Sequence, residues 1–131
     1  MTARNRLNKE DIVDGLIFTS NDDPNRKIVF NFHTWVEMLK AIIVKYANKL
    51  QDEAESLVMN YPGVYTPVED YSDVEFMSHD YEYHWAMEIV YGGQYWLKGI
   101  PSDLPEGFIE WDDQHRKAHN LAEDSFEYID E

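Results

Sequence analysis

The 131-residue chain contains no cysteine, which excludes disulfides, thiolate nucleophiles and thiolate metal ligands. A disulfide-free chain suits a reducing compartment, so a cytoplasmic location is expected. No apolar run approaches the roughly 20 residues that span a bilayer. Met1 to Arg6 has no apolar stretch behind it, so no secretory signal is expected. Gly92-Gly93 stands alone, without the strand–turn–helix setting of a phosphate loop. No serine or threonine sits in a nucleophile-elbow pattern. Beyond Lys49 only Lys98, Arg116 and Lys117 are basic, too few for a nucleic-acid groove there. Neither direct nucleic-acid contact nor membrane contact is expected.

What is present is a lopsided charge. Residues 1–50 hold eight Lys/Arg against six Asp/Glu, whereas residues 51–131 hold three against twenty, a net of −17 within the chain's −15. Fourteen of the nineteen aromatics lie in that acidic part, threaded between carboxylates from Tyr71 to Trp85. An apolar content of 44% is too high for a disordered acidic tail. The chain must therefore fold against carboxylate self-repulsion, which predicts higher stability in moderate salt or mildly acidic buffer.

The length suits one domain over 1–131, with 1–6 and 124–131 as flexible or loosely docked ends. Leu16–Thr19 and Lys27–Phe30 flank the turn-rich Asn21-Asp22-Asp23-Pro24-Asn25 and predict a β-hairpin within 16–31. Thr34 and Glu37 form a capping-box pattern. Behind it Trp35, Leu39, Ile42, Tyr46, Leu50, Ala54 and Leu57 recur at helical spacing, predicting one long helix over 34–60. Residues 61–77 lack a period and read as a long irregular segment. Ser78 is positioned to cap a helix over 79–91, and Gln94 to Leu97 reads as strand or turn. A last helix runs over about 106–122, with Phe108, Trp111, His115 and Ala118 inward and Glu110, Asp113, Arg116 and Lys117 outward. The expected fold is mainly α, a single domain of about four helices with a β-hairpin.

Three candidate sites follow. Two imidazoles and a carboxylate at helical spacing, Asp112, His115 and His119, can hold a divalent metal. Asp80, His84 and Glu88 are spaced by four, which lets a carboxylate orient His84 as a general base. With His79 these residues define a metal-dependent hydrolase as the alternative. The His79-Asp80 dipeptide resembles that of the HD-domain phosphohydrolases, but nothing flanking it extends the likeness and that family is not adopted.

The third candidate is the acidic-aromatic tract itself. Carboxylates steer a basic partner to the surface, and flat rings supply contact area once water leaves. Asp70, Asp73, Glu75, Asp80 and Glu82 are the expected charges, with Tyr71 and Tyr83 as anchors and Tyr95 beside them; Tyr81 and Trp85 are assigned to the core. The expected function is that of a small acidic inhibitory or adaptor protein. It would engage a basic surface of a partner protein, such as a nuclease or another nucleic-acid enzyme, in the manner of immunity proteins and antitoxins. This function needs no cofactor. A third reading is a subunit of a larger assembly.

Overall fold

The computed structural model describes residues 9–130, so the loose end expected at 1–6 lies outside the described residues. The fold is mainly α, with a three-stranded antiparallel sheet in the order β1-β2-β3. A 3-10 turn (Lys9–Asp11) leads into β1 (Leu16–Thr19) and β2 (Arg26–Phe30). There follow α1 (Phe32–Tyr46), α2 (Gln51–Met59), a single turn α3 (Pro62–Tyr65), α4 (Tyr71–Met77) and α5 (Glu82–Tyr91). A second 3-10 turn (Tyr95–Lys98), α6 (Phe108–Ala118) and β3 (Phe126–Asp130) complete the chain.

The hairpin forms where the turn residues placed it, with Leu16 opposite Phe30 and Thr19 opposite Lys27. Ser20 Oγ accepts from the Asp22 and Asp23 amides at 3.1 and 3.3 Å, and Asp23 Oδ1 accepts from the Asn25 amide at 3.0 Å. Short polar side chains thus close the turn by satisfying its own backbone. The acidic end, expected to be loosely docked, supplies the third strand. Phe126 lies opposite Phe30 and Tyr128 opposite Ile28. The Phe30 and Phe126 rings stack at 5.0 Å, a cross-strand contact that holds the acidic segment 123–130, with its four carboxylates, against the core.

Helix α1 is the centre of the core. Trp35, Leu39, Ile42 and Ile43 are buried in one cluster with Ile28 and Phe30 of the sheet and Ala86 and Met87 of α5, and Met38 is fully buried as well. Its start differs from the capping box expected at Thr34 and Glu37. The helix begins at Phe32, and the Thr34 amide in its first turn donates to Asp14 Oδ1 at 2.8 Å. A carboxylate remote in sequence therefore satisfies an exposed helix donor. The Thr34 hydroxyl donates to Asp14 Oδ2 at 2.8 Å and accepts from the Ala122 amide at 3.0 Å.

The single helix expected over 34–60 is two. Asn48 takes a left-handed φ of 56°, and Leu50 is extended while its amide donates to Glu53 Oε1 at 3.0 Å. Asn reaches this conformation at lower cost than most residues, so it ends α1 where the apolar period alone continues. Residues 61–77 are likewise not one irregular stretch. Pro62 opens α3, and the Asp70 carboxylate accepts from the Asp73 amide at 3.0 Å to cap α4. Ser78 closes α4 rather than capping the next helix, which starts at Glu82. The final helix is shorter than expected and ends at Ala118, beyond which Asn120 is again left-handed at φ 57°.

Candidate functional site: an acidic aromatic groove

The folding of 61–77 into two short helices builds a groove. Trp35 of α1 and Trp85 of α5 line it from the core side, Tyr61 from the residue before α3, Pro62 and Gly63 from α3, and Asp73, Phe76 and Met77 from α4. Its volume is about 750 Å³. Four carboxylates line it, Glu69, Asp73, Asp80 and Glu88, and among the described residues no Lys or Arg does.

Each wall has an identifiable support. Asp73 Oδ2 accepts from the Glu69 amide at 3.0 Å, so this carboxylate is fixed by the cap of its own helix. Phe76 meets the Trp85 ring edge-on at 6.2 Å, yet remains 67% exposed. Trp85 Nε1 donates to the Met77 carbonyl at 3.1 Å, which fixes its ring between α4 and α5. The Tyr61 hydroxyl is pushed up by burial and by the adjacent Glu88 carboxylate. Gly63 leaves room for this tyrosine: a Cβ there would lie 2.7 Å from Tyr61 Cε2. Trp35, in the floor, is 1% exposed and its indole Nε1 has no hydrogen-bond partner.

The expected binding residues divide sharply. Asp73 and Asp80 line the groove, whereas Asp70 serves as the α4 cap and Glu75 lies on α4 outside the lining. Tyr71 and Tyr83 are not surface anchors, being 7% and 4% exposed, and Tyr95 is fully buried. The Tyr83 hydroxyl donates to the Pro101 carbonyl at 3.2 Å, and the Tyr95 hydroxyl bonds His84 Nδ1 at 2.9 Å. The Tyr83 and Tyr95 rings are thus buried with their hydroxyls paired, whereas the buried Tyr71 hydroxyl has no hydrogen-bond partner among the described residues. Tyr81, assigned to the core, is instead 68% exposed.

Glu82 and Arg116 correct the surface assignment most strongly. Arg116, expected to face outward, is 5% exposed. Its Nη2 donates to both Glu82 oxygens at 2.9 and 3.0 Å, and its Nε to Asp112 Oδ1 at 2.8 Å. Its Nη1 reaches the Ser125 hydroxyl at 3.2 Å and the Ala122 carbonyl at 3.3 Å. The Ser125 hydroxyl donates to Glu82 Oε2 at 2.5 Å. Burial pushes the Glu82 carboxyl up, opposed by Arg116 and by Ser125. The cluster ties α5 and α6 to the segment leading into β3, and its polar groups are spent on one another.

The alternative metal set does not assemble. Asp112 is held by Arg116, and Glu88 lines the groove whereas His115 and His119 line a separate cleft. His84 lies 4.0 Å from Asp80 and stacks on Trp96 at 6.1 Å, while His79 is exposed at the α4–α5 link. His115 and His119 stack face to face at 4.0 Å. Among the described residues no three His, Asp or Glu side chains are arranged to hold a metal ion. The stacked pair belongs to a second cleft of about 590 Å³, whose lining mixes Glu37, Asp52 and Glu55 with Lys40 and Lys45. Lys40 pairs there with Glu37 at 2.7 Å, and Lys45 lies over the Trp111 ring at 5.8 Å. This cleft is internally compensated, whereas the groove beside α4 is not.

Sequence reasoning missed Glu69, Phe76, Trp35 Nε1 and the Gly63–Tyr61 contact. Only Phe76 left a signal, as an apolar residue out of step with Tyr71, Val74 and Met77. No helix among the described residues is long and apolar enough to cross a membrane. Comparison with protein-family models, with curated proteins and with solved structures gave no match.

Proposed function

We propose that the protein is a small acidic binding protein whose groove beside α4 docks a basic surface of a partner protein. The observation that carries this reading is the groove's composition: four carboxylates without Lys or Arg among its described lining residues, next to a phenylalanine that is 67% exposed. Like charges in one concavity reinforce each other's field and attract cations. An exposed ring beside them offers contact area that gains free energy when covered. A basic cleft of a nuclease or another nucleic-acid enzyme has the complementary form, because it is shaped to take ordered anionic groups. Occupying such a cleft would inhibit the enzyme by excluding its substrate.

The test uses Asp80→Lys/Glu88→Lys, which reverses charge without touching the α4 cap. Wild-type protein immobilised at low salt should retain a basic partner from its host's extract, and the double variant should not. Association with that partner should slow steeply as ionic strength rises, by one to three orders of magnitude on the scale of about 10–10³ for steered encounters. Equal retention by both proteins would remove the groove from the contact.

A further inference from the structure

We infer that the open edge of β1 pairs with β1 of a second copy of this chain, joining their sheets into one continuous sheet about a two-fold axis. The ladder fixes which groups face that edge. The Ser20 amide donates to the Arg26 carbonyl at 2.9 Å, in the register that sets Phe18 opposite Ile28 and Leu16 opposite Phe30. Bonded and non-bonded positions alternate along an antiparallel pair, so Leu16, Phe18 and Ser20 turn their backbone groups to β2. Ile17 and Thr19 turn their N–H and C=O groups outward, and among the described residues no strand lies on that side. Such a row of backbone donors and acceptors is complementary to another strand.

The two edges of the sheet are finished differently. β3 carries Glu127 and Asp130, charges of the kind that keep a foreign strand away. β1, Leu16-Ile17-Phe18-Thr19, has neither charge nor proline, and its Ile17 is 62% exposed. Charge decides whose strand fits. The chain carries −15, yet residues 16–30 set Asp22 and Asp23 against Arg26 and Lys27 and sum to zero. Copies of so acidic a chain meet at least cost where the local charge cancels. A basic partner, by contrast, gains most at carboxylates, and β1 has none. The strand is also self-complementary. With Phe18 on the axis, Ile17 of each copy lies opposite Thr19 of the other, and their outward amides and carbonyls bond reciprocally. The Phe18 residues of the two copies then face each other at a non-hydrogen-bonded position, where side chains come closest.

The experiment is sedimentation equilibrium of the full chain over a wide concentration range at low and at high salt. The apparent mass should rise from one chain toward two as concentration increases. Added salt should favour the pair, because it screens the repulsion between chains of −15. Docking of a basic partner in the groove should respond to salt with the opposite sign, so failure of one reading is distinguishable from failure of the other. Hydrogen exchange at the Ile17 and Thr19 amides should slow as protein concentration rises. Thr19→Pro removes an outward donor from each copy but no bond to β2, so the fold should persist. It should weaken pairing about tenfold to a hundredfold, the worth of a pair of hydrogen bonds. Ile17→Lys, at an exposed position, should weaken it as well by placing a charge on the edge. A chain that stays single at every concentration would overturn the proposal and leave the edge to a strand of another protein. Pairing in which the Ile17 and Thr19 amides exchange freely, or which both variants leave intact, would place the contact elsewhere and overturn it too.

Discussion

Removing the Arg116 side chain leaves the partly buried Glu82 and Asp112 without their cation, since both carboxylates are directed at it within 3.0 Å. Breaking a buried pair on one side typically costs about 3–5 kcal/mol, because an uncompensated charge remains inside. Arg116→Met should therefore lower stability by about that amount in chemical denaturation, a large fraction of a small domain's total. Adding Glu82→Gln and Asp112→Asn should restore part of the loss, because neutral amides tolerate the site better than unpaired carboxylates. A full loss that the additional changes do not relieve would place the role of Arg116 in packing rather than charge. Nothing in the local sequence marks this residue. In the run Asp112-Asp113-Gln114-His115-Arg116-Lys117 every side chain is polar, and which of them turns inward depends on Glu82, thirty-four positions away. The tyrosines were misread for a related reason. Composition shows that Tyr71, Tyr83 and Tyr95 sit among carboxylates, but their burial is set by core residues distant in sequence, with the Tyr83 hydroxyl meeting the Pro101 carbonyl and the Tyr71 hydroxyl meeting no partner among the described residues.

At the level of elements, the break between α1 and α2 gives a prediction with opposite signs for two architectures. Asn48 is left-handed, a conformation that costs an ordinary L-residue roughly 1–2 kcal/mol. Asn48→Ala should accordingly destabilise the protein by about 1 kcal/mol, and Asn48→Gly should be neutral or mildly stabilising. Were 34–60 one continuous helix, the order would reverse, because alanine is the best helix former and glycine among the worst. Urea melts of the two variants decide the matter by sign alone. The hairpin and α1 were legible because turn chemistry and a wide apolar stripe are local signals. The end of α1 was not, because Leu50, Ala54 and Leu57 keep the helical period across the break although Leu50 is 72% exposed. The short helices α3 and α4 escaped because elements of four and seven residues hold too few turns to show a period. Their caps were present in the sequence, Pro62 and Asp70, but Asp70 reads equally well as part of a charge run. The groove is made of these two helices, so the candidate site was hidden by the same shortness that hid its walls.

The whole molecule carries −15 and should respond to acid in two opposed ways. Protonating surface carboxylates relieves self-repulsion and favours the compact state. His115 acts in the other direction. Burial holds its pKa below the ordinary value, and the neighbouring His119 ring, stacked at 4.0 Å, reinforces the effect. A histidine depressed in the fold is charged more readily when unfolded. Its neutral form thus contributes stability that is present above the unfolded value, about 6.5, and lost as the pH falls through the lower folded value. Wild-type protein should therefore gain less on mild acidification than its net charge suggests. His115→Gln, which cannot charge, should show the carboxylate gain unopposed below about pH 6.5. Added salt separates the two contributions. Screening weakens repulsion between exposed carboxylates most strongly, so the melting temperature should rise with salt at neutral pH in both proteins alike. The difference between them should open only in acid. If the two proteins trace the same stability curve from pH 8 to pH 5, the stacked pair contributes nothing to the pH response. In that case the carboxylates alone govern how this anionic fold meets acid.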